Sequence, residues 1–450
     1  MTAEAPNKKV ARAWIMYDWA NSVYPLVINS TIFPIYYESI TATKDANGNV
    51  INDMVSFMGF EVRNVALYSY ALSVSYLLVA IITPLLSGIA DYSGTKKRFL
   101  KIFCYLGAIS CLLFTTFSAD QLEWGMLLVM LASIGFSGGL VFYNAFLPEI
   151  AAPQYHDQLS ARGFSNGYAG SVILLLVNLV LVLSPNTFGI PDTGTATKIA
   201  FATVGLWWMG FAQFTFVGLP EERKITHSKQ GILTKGYKEL RSVWREMKQN
   251  LQLKRYLGSF FIYNMGVQTV MILAATFAAK EVKQIDEAGN IVAMSSDKLI
   301  ISILLIQLVA IPGSFFFSKF SGWFGNKASL LLALLIWIGV CIGAYFVVYD
   351  TQFFVVAAVV GLIMGGIQSM SRSTYSKLMP ETADHASYFS FYDVADKLGI
   401  VLGTFAYGFI FDVTGSMRNS IVAIVAFFML GAILLMRVPS DKKIAARTNS

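Results

Sequence analysis

Twelve runs of roughly twenty mostly apolar residues constrain this chain more than any other feature. They fall at 14–40, 64–90, 99–118, 124–147, 164–184, 199–219, 256–279, 299–319, 328–349, 352–376, 387–411 and 419–437. A bilayer core needs about 20 such residues per helix. In hydrocarbon every backbone N–H and C=O must find an internal partner, which leaves helices or closed barrels. The runs are roughly twice the length of a barrel strand and do not alternate in polarity, so a β-barrel is excluded. Only 14% of the 450 residues are charged and 55% are apolar. That excludes disorder and argues against a soluble multidomain enzyme. Cys104, Cys111 and Cys341 lie inside apolar runs, and read as small buried hydrophobes without a disulfide framework.

The net charge of +7 raises nucleic acid as a partner, and the placement of the charges removes it. With the N-terminus in the cytoplasm, 26 Lys and Arg fall in cytoplasmic segments and 7 on the other side. This is the bias of the positive-inside rule, and it predicts that both termini are cytoplasmic. The longest cytoplasmic loop, 220–255, separates six spans from six. Leu233, Tyr237, Leu240, Trp244, Met247 and Leu251 recur along it at helical spacing, with Lys235, Lys238, Arg241, Arg245 and Lys248 on the other faces. The pattern predicts a basic amphipathic helix on the inner leaflet, as a stiff linker or a regulatory partner site.

The two sets of six spans repeat. Tyr143, Pro148 and Glu149 at the end of the fourth span return as Tyr375, Pro380 and Glu381 at the end of the tenth. All shift by 232 residues, as do Gly167 and Gly399. Gly94-Thr95-Lys96 matches Gly325-Asn326-Lys327 within one residue of that offset. An even number of spans per repeat makes the halves parallel, a transporter arrangement. The expected organisation is an N-terminal six-helix half, 1–219, a cytoplasmic linker with an amphipathic helix, 220–255, and a C-terminal six-helix half, 256–450.

The loop from Ser87 to Lys97 resembles the loop 2–3 signature of the major facilitator superfamily through Asp91, Gly94, Lys96 and Lys97. It departs from it at Tyr92, where the signature has Arg, and in the displaced Gly88. A narrower similarity, over residues 12 to about 412, is to the vacuole-effluxer-like branch. It is carried by Trp14–Tyr24, Gln368–Ser373 and Tyr388–Lys397. The resemblance implies an all-α integral membrane fold of twelve helices. It also implies a permease, because eukaryotic members are associated with release of amino acids from vacuoles. The short tails and loops resemble the prokaryotic type, which points to a bacterial inner membrane. In this superfamily the first, fourth, seventh and tenth helices line the central path.

Ionisable side chains in hydrocarbon are costly and face protein or water. Asp393, Asp396 and Lys397 lie roughly 9–15 Å into the eleventh span, at 1.5 Å per residue. Asp393 and Lys397, four apart, share a face. They form either a locked ion pair or a substrate and proton site. Asp18, with Asn21 on its face, reads as a gate salt bridge, a coupling carboxylate or a helix-end contact. Pro25 and Pro34 interrupt the same span. Asn264 and Gln268 form a polar face in the seventh span. Arg372 either closes an inner gate with Glu149, Glu381 or Asp18, or snorkels to the headgroups. Glu149 and Glu381 fit structural or gating roles, and the resemblance implies that Asp91, Gly94 and Lys96 brace the closed inner face. The Gly361-x-x-x-Gly365 pair, and Gly135, Gly138 and Gly139, predict close helix packing. Trp14, Trp124, Trp323 and Tyr349 fit interfacial anchors.

His156, His227 and His385 lack metal-ligand spacing, no Walker loop is present, and no catalytic triad lies at depth, so no cofactor, metal or enzyme activity is expected. The reading is a monomeric secondary transporter of a small polar solute, an amino acid first, driven by protons. The alternatives are an exporter of drugs, amphiphiles or lipids, and a non-transporting sensor or scaffold that signals through 220–255.

Overall fold

The computed structural model describes residues 5–44, 50–221, 232–286 and 289–439. His227, with the first part of the linker, and the last eleven residues lie outside the described residues. Fifteen helices dominate the described residues, and eleven of the spans are long and apolar enough to cross a membrane as single stretches. The first span is the exception. It is divided into α1 (Lys8–Asn21), a π-helical stretch (Tyr24–Ile32) and α2 (Phe33–Thr41). Pro25 has no N–H and its ring crowds the carbonyl four residues back, so the α pattern cannot run through it. The wider π turn follows, and such turns concentrate at functional sites. It frees the Asn29 carbonyl, which accepts from the Tyr68 hydroxyl at 3.1 Å, while the Asn29 side chain accepts the same hydroxyl at 2.8 Å.

The remaining helices are α3 (Asn64–Ser93), α4 (Lys96–Leu113), α5 (Leu122–Ala145), the one-turn α6 (Leu147–Ile150), α7 (His156–Leu183), α8 (Thr193–Gly218) and α9 (Ile232–Gln249). They are followed by α10 (Leu251–Glu281), α11 (Ser296–Phe324), α12 (Asn326–Phe346), α13 (Asp350–Leu378), α14 (His385–Thr414) and α15 (Met417–Met436). Three short antiparallel hairpins decorate the end away from the termini. In the one joining Met54–Phe57 to Phe60–Arg63, Met58 and Gly59 both take positive φ, 52° and 85°, as a two-residue turn of the twist-matching kind requires. At the other end, called here the basic end, Gly94 closes α3 at φ 69°. That left-handed cap turns the chain directly into α4.

Helices α1, α3, α4, α5, α7 and α8 pack among themselves, as do α10 to α15. The two sets meet where α7 lies against α11 and α13, and where α14 lies against α3 and α5. The glycine pattern is used as the sequence suggested. A Cβ on Gly361 or Gly365 of α13 would stand 2.4 Å from the carbonyl oxygen of Ile306 or 2.2 Å from that of Ala310, both on α11. One on Gly135 of α5 would meet Gly107 of α4.

Two expectations change. Trp14 is no interfacial anchor: it is fully buried, and its indole N–H donates to the Tyr143 carbonyl at 3.0 Å. Nor does α9 rest on lipid alone. It lies across the seam between α3 and α14, so close to α3 that a Cβ on Gly88 would stand 2.3 Å from the Gly236 carbonyl oxygen. Val243 and Met247 are buried against the bundle. Trp244, half exposed, is 5.2 Å from Phe391 of α14 between ring centroids, and Tyr237 turns outward. The apolar stripe is therefore shared between protein and membrane.

Two predictions follow from this packing. Gly365→Val overpacks the α11–α13 contact and should lower stability by about 1–3 kcal/mol. Gly343→Ala, on the open face of α12, should not, and thermal unfolding of both variants checks the pair. Glu239 on α9 is raised from 4.5 to about 7, by burial first and then by the charge and hydrogen bonding of Asp384. A carboxyl with a higher pKa when docked takes up a proton on docking. Docking of α9 is then fully supported below about pH 4.5 and weakens as pH rises to about 7. Hydrogen exchange over α9 should quicken across that window, and Glu239→Gln should flatten the change.

Candidate functional site

Arg372 of α13 is 3% exposed and reaches across the seam. Its Nη2 donates to Asp18 Oδ2 of α1 at 3.2 Å and to the Ser160 carbonyl at 3.0 Å. Its Nε donates to Ser160 Oγ at 2.9 Å, and its Nη1 to Asn144 Oδ1 at 3.3 Å. Phe164, Trp14 and Tyr143 surround the guanidinium, with ring centroids at 4.2, 4.8 and 5.5 Å. The Tyr143 hydroxyl donates to the same Asp18 oxygen at 2.7 Å. Asp18 fits because residue 163 is glycine: a Cβ there would stand 2.2 Å from Asp18 Oδ2. Of the three carboxylates the sequence offered to Arg372, the fold selects Asp18. Asn21, one turn on, is buried with its Nδ2 unpaired, and none of the described hydrogen bonds joins it to the charge cluster of α14.

Two further ties close the basic end. Asp91, at the end of α3, accepts from the backbone N–H groups of Ala386 at 3.2 Å and Ser387 at 2.7 Å. These are free donors in the first turn of α14, where a carboxylate is favoured. Lys96 pairs with Asp91 at 3.4 Å and also with Glu149, which in turn meets His385 Nδ1 at 3.0 Å. On the symmetric side, Lys377 of α13 donates to Asp157 of α7 at 2.6 Å, and Asn326 donates to the other Asp157 oxygen at 2.8 Å. Glu381 is exposed and none of the described contacts includes it, so the repeat does not give it the role of Glu149. Lys97, not Lys96, is the structural counterpart of Lys327. Lys97 donates to the Leu219 carbonyl after α8, and Lys327 to the carbonyls of Met436, the last residue of α15, and Val438 beyond it.

Every hydrogen bond or ion pair described between α1–α8 and α10–α15 lies in the half of the bundle nearer the basic end. The farthest from that end are Tyr168 to Gln368, and Ser165 to the Ile311 carbonyl. The described structure is closed at the basic end.

A second charged group lies deeper. Asp393 and Lys397 of α14 are about 12 and 18 Å from the start of their helix at 1.5 Å per residue. Lys397 Nζ is 2.7 Å from Asp396 Oδ2 and 3.3 Å from Asp393 Oδ1. The sequence paired Lys397 with Asp393, yet Asp396 is the nearer partner. Asp396 Oδ1 also accepts from Asn264 at 2.8 Å and Gln268 at 3.0 Å, both on α10. Tyr76 of α3 lies across the seam with its ring centroid 5.8 Å from Lys397 Nζ. Asp393 and Lys397 are buried, while Asp396, Gln268 and Tyr76 remain partly exposed. The fold thus joins Asn264, Gln268, Asp393, Asp396 and Lys397 in one cluster and puts Asp18 in another.

The sequence reading missed Tyr143, Phe164, Ser160, Gly163, Asp157 and Lys377. Tyr143 carried a signal in the repeat. The others are ordinary residues whose role depends on which helix faces them.

A fold of twelve spans, closed by cross-seam ion pairs and holding charges at mid-depth, is that of a major facilitator membrane transporter and not of an enzyme. The outward-conformation crystal structure of FucP, a major facilitator superfamily transporter, superposes with a TM-score of 0.67 at 13% identity, covering 96% of this chain and 98% of that one. Residues 6–448 match the vacuole effluxer Atg22-like family, and the chain belongs to it. The MFS-type transporter YxiO of Bacillus subtilis is 28% identical over 96% of this chain and 95% of its own. Autophagy-related protein 22-1 of Penicillium rubens is 22% identical over 97% of this chain and 91% of its own.

Arg372→Ala strands the Asp18 charge in a buried site and should cost about 3–5 kcal/mol. Asp18→Asn combined with Arg372→Gln leaves no lone charge and should cost clearly less. Thermal unfolding of the single and double variants in lipid nanodiscs checks the order.

Proposed function

We propose that this protein is a secondary active transporter that moves a small polar solute, an amino acid first, by alternating access of two six-helix halves. The halves are 1–219 and 256–450, joined by the linker 220–255. The reading places the chain in a bacterial inner membrane as a monomer, with both termini and the basic end cytoplasmic. The observation that carries it is the partly exposed Asp396 carboxylate, held at mid-depth by Asn264, Gln268 and Lys397. A carboxylate and an ammonium side by side match the two ends of an amino acid. Protons are the driving ion of choice, since two carboxylates share a single lysine there.

Asp18, Arg372, Asp91, Lys96 and Glu149 serve in this reading as the inner gate. The Asp18–Arg372 pair, the Glu149–His385 pair and the bonds of Asp91 to the α14 N–H groups cross between halves, so inward opening must break them together. FucP, described as a fucose:proton symporter, shares the fold and lends the mechanism precedent without specifying a solute.

A thermal-shift screen of the purified protein against amino acids, sugars, nucleosides, carboxylates and hydrophobic cations, at two pH values, tests the proposal. A ligand at 100 times its Kd adds about 2.7 kcal/mol. Stabilisation by amino acids, lost in Asp396→Ala, is the expected result. Stabilisation by hydrophobic cations alone sinks the amino-acid assignment in favour of amphiphile export.

A further inference from the structure

The two carboxylates of the α14 cluster differ in how well they are satisfied. Asp396 has three donors, from Asn264, Gln268 and Lys397. Asp393 has only the 3.3 Å contact of its Oδ1 with Lys397, and its Oδ2 is buried without a hydrogen-bond partner. The residue is 6% exposed. An ionised carboxylate with one bare oxygen in such a place is far more costly than a neutral one. Lys397 and Asp396 are the charged groups that face it from its own helix. From α3 comes Tyr76, whose ring lies by Lys397. From α10 come the neutral amides Asn264 and Gln268, while the Tyr263 hydroxyl is taken up with Ser371 at 2.7 Å. Glu123 of α5 is engaged with the Met58 N–H, Arg418 of α15 with Glu281, and Glu246 of α9 with the Tyr388 hydroxyl.

With both aspartates ionised and one lysine, the cluster lacks one positive charge. We infer that a proton on Asp393 and a solute of net charge +1, a cationic amino acid, fill that one vacancy in turn, so that solute entry expels the proton and the protein exchanges one for the other. In the closed structure Asp393 is protonated, and Asp396 is the ionised partner of Lys397. When one ammonium group of such a solute reaches the partly exposed Asp396, Lys397 shifts to bridge Asp393 and the solute carboxylate. The O–H bond of the Asp393 carboxyl breaks, its electron pair stays on oxygen, and the proton leaves to water. Lys397 then neutralises the new carboxylate. The reverse sequence reloads the proton and releases the solute. The inference rests on the transport reading above and adds a coupling residue and an exchange stoichiometry to it.

The purified protein in lipid nanodiscs tests this in two arms. Infrared titration should reveal a buried protonated-carboxyl band at neutral pH, which Asp393→Asn loses. Lys397→Met should strengthen the band, since it removes the cation that favours an ionised Asp393. A wild type without the band, or Asp393→Asn with it intact, overturns the proposal. The Lys397→Met result and the wild-type titration stand even where Asp393→Asn does not fold. In the second arm, L-lysine is titrated calorimetrically at pH 7 in buffers of different ionisation heat. Release of about one proton per lysine bound is expected from binding linkage, and no release in Asp393→Asn. Proton uptake, or none, on binding to the wild type overturns exchange. If L-lysine does not bind, the cationic amino-acid assignment fails, and the infrared arm alone decides the protonation of Asp393.

Discussion

A charge buried among apolar helices has no water to fall back on, and this constraint organises the whole molecule. Each buried ion must find a partner of opposite sign or give up its charge. Arg372 answers with four hydrogen bonds, one of them to Asp18, and three aromatic faces. Asp91 answers with the free N–H groups at the start of α14. These partners sit on opposite sides of the seam, so satisfying the ions also holds the seam shut. The α14 cluster is the place where the demand is left incomplete, and the proposed chemistry follows from that shortfall.

The internal repeat sets up symmetry, and the charges break it. Tyr143 and Tyr375 occupy equivalent positions, yet Tyr143 donates to Asp18 in the latch while Tyr375 donates to the Tyr388 carbonyl. Glu149 joins Lys96 within its own half and His385 across the seam, whereas Glu381 stays exposed. The mid-depth charges all come from α14, and the facing surface of α3 offers a tyrosine. A parallel repeat supplies two similar scaffolds, and the polar residues laid on them differ: the closing contacts draw on both, while the mid-depth charges sit on one.

Much of the fold was legible because hydrocarbon demands long apolar helices, and such helices leave their mark locally. The glycine pairs at Gly361 and Gly365 were readable for the same reason, since close approach at helical spacing needs no knowledge of the partner. The interrupted first span was hinted at by Pro25, but the π-helical register of Tyr24–Ile32 was not, because it depends on what packs around it. The linker helix was visible from its period. Its dock across α3 and α14 was not, since a stripe of Tyr, Trp and Met suits a lipid surface and a protein groove alike.

The sequence by itself determined the membrane class, the six-plus-six count, the basic bias of one end and the short list of ions at depth. These follow from composition along one dimension, where hydropathy and charge act residue by residue. Only the tertiary structure decided which ion meets which. It gave Arg372 to Asp18 and not to Glu149 or Glu381, and made Asp396 the nearer partner of Lys397. It also left one oxygen of Asp393 bare. Pairing of buried charges depends on distances of a few ångströms between helices far apart in the chain, and no spacing along the sequence encodes those.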